Sequence, residues 1–214
     1  MLKVYGFSRV NKGAHGKTRD LRVLWALEEM QLPFELVSLD HPAHELNTDA
    51  FRRINPFEQL PAIDDDGVVL SESAAILVYL ARKSGKLMSP DLAAQAQVTR
   101  WCFAAVNSLE LPLMSINMID WVEPADACAK YRAFVRSWAE LRLPQLDRWL
   151  DGRDWVATDS FTVADILMAH VLSGIGDATL LAPHGRVRAY RDKCFARPAW
   201  RRVMDSYQAR VEAA

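Results

Sequence analysis

Hydrophobic and polar positions follow two different periods in the first eighty residues. Residues 2–7 and 34–39 are patterned as strands, whereas apolar residues recur at helical spacing between Arg19 and Met30. Two further strands, at 60–63 and 68–70, flank an Asp-Asp-Asp-Gly turn at 64–67, and Ser71-Glu72-Ser73 then opens a helix that is apolar on one face. This order predicts a mixed α/β sheet with helices packed on it.

After Gly85–Pro90, which is typical of a linker, nearly all of the chain has helical spacing. One predicted helix runs from Asp91 to about Ile119, and Pro112 is expected to kink or interrupt it. Another covers residues 127–150 and contains Pro144. Six residues of this second helix are expected to face inward: Tyr131, Phe134, Val135, Trp138, Leu141 and Leu146. An α/β unit followed by an all-helical unit is the predicted organisation.

A capping box is predicted at the start of a later helix, where Thr162 and Asp165 are three residues apart. Phe161 and Ile166 have the spacing of the hydrophobic staple that often accompanies such a box. We therefore interpret Thr162 and Asp165 as structural, and His170 as a core or boundary histidine. None of these residues is expected to take part in chemistry.

Composition narrows the possible functions. The chain has 214 residues, is 50% hydrophobic and carries a net charge of −1, so it can bury one large core or two small ones and has no general attraction for nucleic acid or anionic lipid. Its three cysteines lack C-x-x-C spacing, and His41 and His44 lack a third ligand, so no metal site is expected. The longest apolar run, 74–81, is too short for a membrane span, and no signal peptide is evident. A soluble cytoplasmic protein is expected.

The string from Asn55 to Tyr79, together with the Ser160–His170 segment, resembles the glutathione S-transferase family. The resemblance covers essentially the whole chain. It implies a thioredoxin-like domain at 1–82, a linker at 83–90, an all-helical domain at 91–214, and a homodimer. It also implies a glutathione site: Leu60 would pair through its backbone with the cysteinyl part, next to a cis bond at Pro61. Glu72 and Ser73 would hold the γ-glutamyl end, and Gln59 would face the glycyl end. Glu58 stands where glycine is expected.

The family places a Ser, Tyr or Cys between its first strand and first helix, where it activates the glutathione thiol. Counting back from Leu27-Glu28-Glu29 puts this position at Lys17-Thr18, and Thr18 also stands where a helix cap is expected. Residues 7–17 form a predicted loop that is longer than in the family, so Ser8 and Asn11 are rivals. Tyr5 is a weaker candidate, and we interpret it as a core side chain of the first strand.

The resemblance further implies that a hydrophobic electrophile binds beside glutathione, and we expect Phe7, Trp101 and Met114 to line that pocket. The expected activity is conjugation of glutathione to such electrophiles, with glutathione as co-substrate and no other cofactor. Two alternatives remain. One is a glutathione-dependent peroxidase or disulfide reductase that uses a hydroxyl, because every cysteine lies at or beyond Cys102. The other is a glutathione-binding scaffold without turnover.

Overall fold

A computed structural model describes residues 1–122 and 128–213, which divide into two compact units. The first unit contains Met1–Lys86 and also the chain from Arg197 onward, and the second contains Leu87–Ala196. The resemblance implies an all-helical domain at 91–214. In the structure, the last helix and strand of that range pack on the first unit.

The strands are β1 (Leu2–Val10), β2 (Glu35–Asp40), β3 (Ala62–Asp65), β4 (Val68–Ser71) and β5 (Glu212–Ala213). The α-helices are α1 (Asp20–Met30), α2 (Asp49–Arg52), α3 (Ser73–Ser84), α4 (Leu92–Phe103), α5 (Glu110–Val122), α6 (Ala129–Trp149), α7 (Val163–Ser173), α8 (Ala178–Leu181), α9 (Gly185–Phe195) and α10 (Pro198–Arg210). A mixed sheet with helices, followed by a helical unit, confirms the predicted fold class.

The sheet of the first unit has the order β2-β1-β3-β4, with β5 beside the end of β1. β1 runs parallel to β2 and antiparallel to β3, and β3 and β4 form an antiparallel hairpin. The hairpin turn is tight because Asp66 and Gly67 both have positive φ, 51° and 95°, and the Gly67 N–H donates to the Asp64 carboxylate at 2.8 Å. The predicted turn at 64–67 is therefore confirmed.

Strand β1 is longer than predicted. Residues from Phe7 onward were expected to form a loop, but Phe7 pairs with Leu39, and Arg9 pairs with both Asp40 and Glu212. Two neighbouring strands thus supply partners for backbone groups that a loop would leave to solvent. The connection between β1 and α1 covers residues 11–19 and contains a 3₁₀ turn at Lys12–Ala14. The prediction of a loop over 7–17 was therefore wrong for residues 7–10, which belong to β1.

Helix α1 is the central element of the first unit and contacts β1, α3 and α10. Its apolar side chains are almost wholly buried, and Trp25 lies against Trp200 of α10 with ring centroids 4.9 Å apart. Two charged residues, Asp20 and Arg22, are buried in the same helix, at 0% and 2% exposure. Buried charges require partners, so these two residues point to a polar site at this end of the unit.

In the second unit, α4 and α5 form one continuous helix, Leu92–Val122, joined by a π-helical segment at Ala104–Leu109. The segment lies just before Pro112, which has no N–H to donate to the preceding turn, so the predicted interruption takes the form of a change in hydrogen-bond register. By length and composition this helix would qualify as a membrane span, a test that core helices of soluble proteins also pass.

Helix α6 corrects the predicted inward face. Only Val135 and Leu146 of the predicted set are buried, and Ala139 and Leu143 complete the buried stripe. The other four, Tyr131, Phe134, Trp138 and Leu141, are between 50% and 58% exposed. The helix therefore carries two apolar stripes, and periodicity alone does not tell which one the chain itself buries. Residue 127, the predicted first residue of this helix, lies outside the described residues.

The predicted capping box of α7 is present. The Asp165 carboxylate accepts the Thr162 N–H at 2.8 Å and the Thr162 hydroxyl at 3.0 Å. It also accepts the Val156 N–H and the Tyr190 hydroxyl, each at 2.8 Å. Asp165 is 0% exposed, and burial raises its pKa while these donors oppose the shift. Asp165 is thus a buried acceptor that joins three segments of the second unit, which supports its structural interpretation.

Candidate functional site

The hairpin of β3 and β4 connects Leu60, which lies just before β3, to Ser73, which begins α3 just after β4. Ala62 pairs with Ser71 in this antiparallel ladder, so the chain enters and leaves the hairpin at the same end. The Leu60–Pro61 peptide bond is cis. Within residues 1–122 and 128–213, no protein group hydrogen-bonds the main-chain N–H or carbonyl of Leu60. This edge can therefore accept the backbone of an extended ligand.

Ser73 is the first residue of α3 and is 6% exposed. Its hydroxyl accepts a hydrogen bond from Nη1 of Arg22 at 3.2 Å. Glu72 precedes it with φ 68°, a left-handed conformation in which the side chain makes no cap. No side chain of the described residues caps the start of this helix. A buried guanidinium and free helix N–H groups surround Ser73 instead, and both favour an anionic ligand.

The turn before β3 is held by Asn55, which is 4% exposed. Its side-chain amide donates to the Gln59 carbonyl at 2.7 Å and accepts the Phe57 N–H at 3.0 Å. Glu58 has φ 54°, which explains why glycine is expected there, and its carboxylate is bound by Arg52 and Asn47. The hydrogen bond from Arg52 lowers the pKa of Glu58. These contacts fix the backbone that leads to Leu60.

Thr18 lies just before α1 and is 9% exposed. It does not cap the helix through its side chain, because the cap position is Arg19 and no side-chain cap bond is made. Its Oγ1 instead lies 3.1 Å from the hydroxyl of Tyr207 in α10, a residue 189 positions away. The predicted activating hydroxyl is thus positioned by tertiary contacts rather than by helix capping.

Asp20 lies beneath Thr18. Its carboxylate accepts the Phe7 N–H at 3.1 Å, and a Cβ on Gly6 would lie 3.1 Å from its Oδ2, so glycine is needed for this close approach to β1. Burial raises the pKa of Asp20, while the Thr18 hydroxyl, the Phe7 N–H and the charge of Arg210 lower it. The Arg210 guanidinium donates to the Phe7 carbonyl. The Asp20 carboxylate and the Arg210 guanidinium therefore both bind the backbone of Phe7, on the strand beside the start of α1.

The rivals of Thr18 lie elsewhere in the first unit. Ser8 is a half-buried residue of β1, and Asn11 is exposed at the start of the 3₁₀ turn, where its carbonyl accepts the Ala14 N–H at 2.8 Å. Tyr5 packs on Phe51, with ring centroids 5.9 Å apart, in the cluster of Leu46, Phe51 and Leu60. Tyr5 is thus a core side chain, as interpreted from the sequence.

The residues expected around an electrophile fall in both units. Phe7 packs on the same cluster of Leu46, Phe51 and Leu60 in the first unit. In the second unit, Met114 is half-buried on α5. Trp101 is 9% exposed, and its ring lies 5.1 Å from that of Trp149. Most of the Trp101 surface is therefore buried, and its ring packs on a residue of its own unit.

All three cysteines belong to the second unit, and none forms a disulfide. Cys102 and Cys194 are buried. Burial, and secondarily the charge of Asp165, raises the pKa of the Cys102 thiol to about 12. Among the described residues, no group of histidine, cysteine and acidic side chains could hold a metal ion. Four residues were not predicted from the sequence: Arg22, Asp20, Arg210 and Tyr207. Asp20 and Arg22, two charges inside the apolar pattern of α1, were the feature of the sequence that could have indicated this site.

Comparison with known proteins identifies the class to which this arrangement belongs. Residues 21–83 match the glutathione S-transferase N-terminal domain, and residues 128–198 match the C-terminal domain of the same family. A glutathione S-transferase of Hyoscyamus muticus is 28% identical over 198 residues, covering 88% of this chain and 93% of the relative. The glutathione S-transferase-like protein LUC7 of Fusarium is 30% identical over 161 residues, covering 72% of this chain and 71% of LUC7.

A solved structure gives the same result. The glutathione transferase of Burkholderia graminis, which contains two bound glutathione molecules per subunit, superposes with a TM-score of 0.84 at 25% identity, covering 96% of this chain and 88% of that protein. The chain belongs to the glutathione S-transferase family.

Proposed function

We propose that this protein binds glutathione along Leu60 and Ser73 and conjugates its thiolate to a hydrophobic electrophile. The observation that carries the proposal is the buried Ser73–Arg22 pair at the N-terminus of α3, which directly follows the hairpin entered through the cis Leu60–Pro61 bond. The γ-glutamyl carboxylate would bind at Ser73 and Glu72. The cysteinyl backbone would pair with Leu60 beside Pro61, and Gln59 would face the glycyl end.

Thr18 is the proposed activating group. A free thiol has a pKa of about 8.5, so only about 3% is ionised at neutral pH, and lowering that pKa by about 2 units requires about 2.7 kcal/mol. One charge-assisted hydrogen bond supplies about 1.5–3 kcal/mol. The net gain in rate is only about threefold, because a more acidic thiol yields a less nucleophilic thiolate. Positioning of the electrophile must supply the remaining acceleration, with Phe7 as a proposed contact.

Isothermal titration calorimetry with glutathione tests the site. We expect Ser73→Ala to weaken binding by about tenfold or more, because a hydrogen bond to a carboxylate is lost. Ser84→Ala is the matched control: Ser84 ends the same helix, its hydroxyl donates to the Ala81 carbonyl at 3.4 Å, and its loss should leave the affinity unchanged. Equal affinities of wild type and Ser73→Ala would refute the site.

A second activity, reduction of disulfides, is favoured by one observation: the Burkholderia graminis relative holds two glutathione molecules per subunit. In this reaction the thiolate held by Thr18 would attack a substrate disulfide, forming a mixed disulfide with glutathione and releasing the other sulfur as a thiolate. A second glutathione thiolate would then attack the glutathione sulfur of the mixed disulfide, which forms glutathione disulfide and releases the second substrate sulfur as a thiolate. Assays with aryl halides and with disulfides distinguish the two reactions. Glutathione binding without either turnover would indicate a scaffold.

We also propose a homodimer in which the exposed stripe of α6 meets a second copy. Phe134 and Trp138 lie on this stripe with ring centroids 5.7 Å apart, and both are at least half exposed. Exposed aromatic side chains grouped on one helix face are typical of protein interfaces. None of the three cysteines forms a disulfide, which supports a reducing, cytoplasmic location.

A further inference from the structure

The hydroxyl of Tyr207 is buried at the end of the loop that precedes α1. Tyr207 is 0% exposed, and its oxygen lies 3.3 Å from the Gly16 N–H and 3.1 Å from Thr18 Oγ1. Throughout the described parts of the chain, these two groups are its only hydrogen-bond partners. Because the Tyr207 hydroxyl has only these two partners, the direction of each hydrogen bond can be worked out.

The direction follows from counting donors. Gly16 supplies an N–H, which can only donate, so it uses a lone pair of the Tyr207 oxygen. The phenolic hydrogen then has a single acceptor within reach, Oγ1 of Thr18. If Thr18 donated to Tyr207 instead, the phenolic hydrogen would be buried without a partner, which is strongly unfavourable. Thr18 is thus the acceptor in this pair.

We infer that Tyr207 is a positioning residue for Thr18: by donating to Oγ1, it leaves the threonine hydrogen available to the glutathione sulfur. This inference rests on the proposed function, in which Thr18 stabilises the thiolate. Oδ1 of Asp20 is buried and has no hydrogen-bond partner among the described residues, and the Thr18 hydroxyl lowers the pKa of this carboxyl, so Asp20 is the acceptor open to the Thr18 hydrogen when no ligand is bound. A hydroxyl that accepts one hydrogen bond becomes a better donor in the next, so the Tyr207 contact also strengthens the bond to sulfur.

The surroundings keep the phenol protonated and in place. Burial raises the pKa of Tyr207, so it remains a donor at neutral pH. The His15 ring lies 5.3 Å from the Tyr207 ring, and its Nε2 is 2.9 Å from the Val211 carbonyl. The Arg210 guanidinium lies 5.8 Å from the centre of the same ring. His15, Asp20 and Arg210 are thus the titratable and charged groups that face the Tyr207–Thr18 pair.

The test is the pH midpoint of thiolate formation in the glutathione complex, followed by ultraviolet absorbance. We expect Tyr207→Phe, which removes only the hydroxyl, to raise the midpoint by about 0.5 unit and to leave the affinity for S-methylglutathione unchanged. Tyr190→Phe is the matched control, because it removes a buried tyrosine hydroxyl that donates to Asp165 in the other unit. An unchanged midpoint in Tyr207→Phe would overturn the inference.

A double substitution separates action through Thr18 from a general structural effect. The midpoint of Thr18→Ala should not move further when Tyr207→Phe is added; an additional rise would contradict the inference. If Tyr207→Phe fails to fold, a ring-fluorinated tyrosine at 207 keeps the volume and strengthens the donor, and the midpoint should fall; no movement would again overturn it. Failure of the proposed function differs from both outcomes, since wild type would then show no midpoint below that of free glutathione.

Discussion

The four hydrogen bonds of Asp165 allow the effect of its removal to be worked out. Oδ1 accepts the Val156 N–H and the Tyr190 hydroxyl, and Oδ2 accepts the N–H and hydroxyl of Thr162. Asp165→Ala leaves all four donors without this acceptor and opens a small cavity. No other change to α7 would affect as many buried polar groups at once.

The expected loss in the free energy of unfolding is large, but it is smaller than the sum of four separate hydrogen-bond losses. A buried donor left unsatisfied destabilises by about 1–3 kcal/mol, although relaxation and entering water reduce the total for neighbouring groups. We expect Asp165→Ala to lower the free energy of unfolding by about 4 kcal/mol, a value reached only when a buried network is broken. For a chain of this size, that corresponds to a fall in Tm of about 8–16 °C.

Thermal unfolding followed by tryptophan fluorescence, at one fixed protein concentration, measures this effect. Tyr190→Phe should destabilise wild type by about 1 kcal/mol but have almost no effect in the Asp165→Ala background, because its acceptor is already gone. Glutathione affinity, measured below the unfolding transition, should be nearly unchanged. A stable variant that selectively loses glutathione binding would refute the structural interpretation of Asp165.

Three further outcomes are expected. Thr18→Ala should raise the pH midpoint of thiolate formation by about 1–2 units through loss of one hydrogen bond; a constant midpoint would transfer the role to Ser8, Asn11 or the backbone. Lys83 and Tyr79 hold the pKa of Asp65 below its usual value, so its contribution to stability should be present at neutral pH and lost below about pH 4. Thermal unfolding across pH should show the gap between wild type and Asp65→Asn closing on acidification, and a gap that widens would contradict this. Trp138→Glu should shift sedimentation toward monomer, unlike the matched Ala133→Glu, which adds the same charge at an exposed position on another side of the helix; an unchanged dimer in Trp138→Glu would exclude this face.

Features fixed by a few consecutive residues could be predicted from the sequence. The hairpin turn depends on Asp66 and Gly67 with positive φ, and the capping box on Thr162 and Asp165 three residues apart. Both are local, so a short pattern specifies them completely. The alternation of strands and helices in the first unit could also be predicted, because the hydrophobic positions of each element repeat with the period of a strand or of a helix.

Features that depend on distant contacts could not be predicted. Periodicity shows that α6 has two apolar stripes but not that the chain buries the one containing Leu143. The extension of β1 depends on β5, at the other end of the chain. Tyr207 reaches Thr18 across 189 positions, and Arg22 reaches Ser73 across 51. The polar support of the candidate site is thus almost entirely tertiary.

The structure of the protein with glutathione bound is the most direct test. We predict that the peptide lies extended along Leu60, with its γ-glutamyl carboxylate within hydrogen-bond distance of Ser73 and its sulfur near the Thr18 hydroxyl. Glutathione bound elsewhere, or bound with its sulfur far from Thr18 and its carboxylate far from Ser73, would contradict the proposed site and the function built on it.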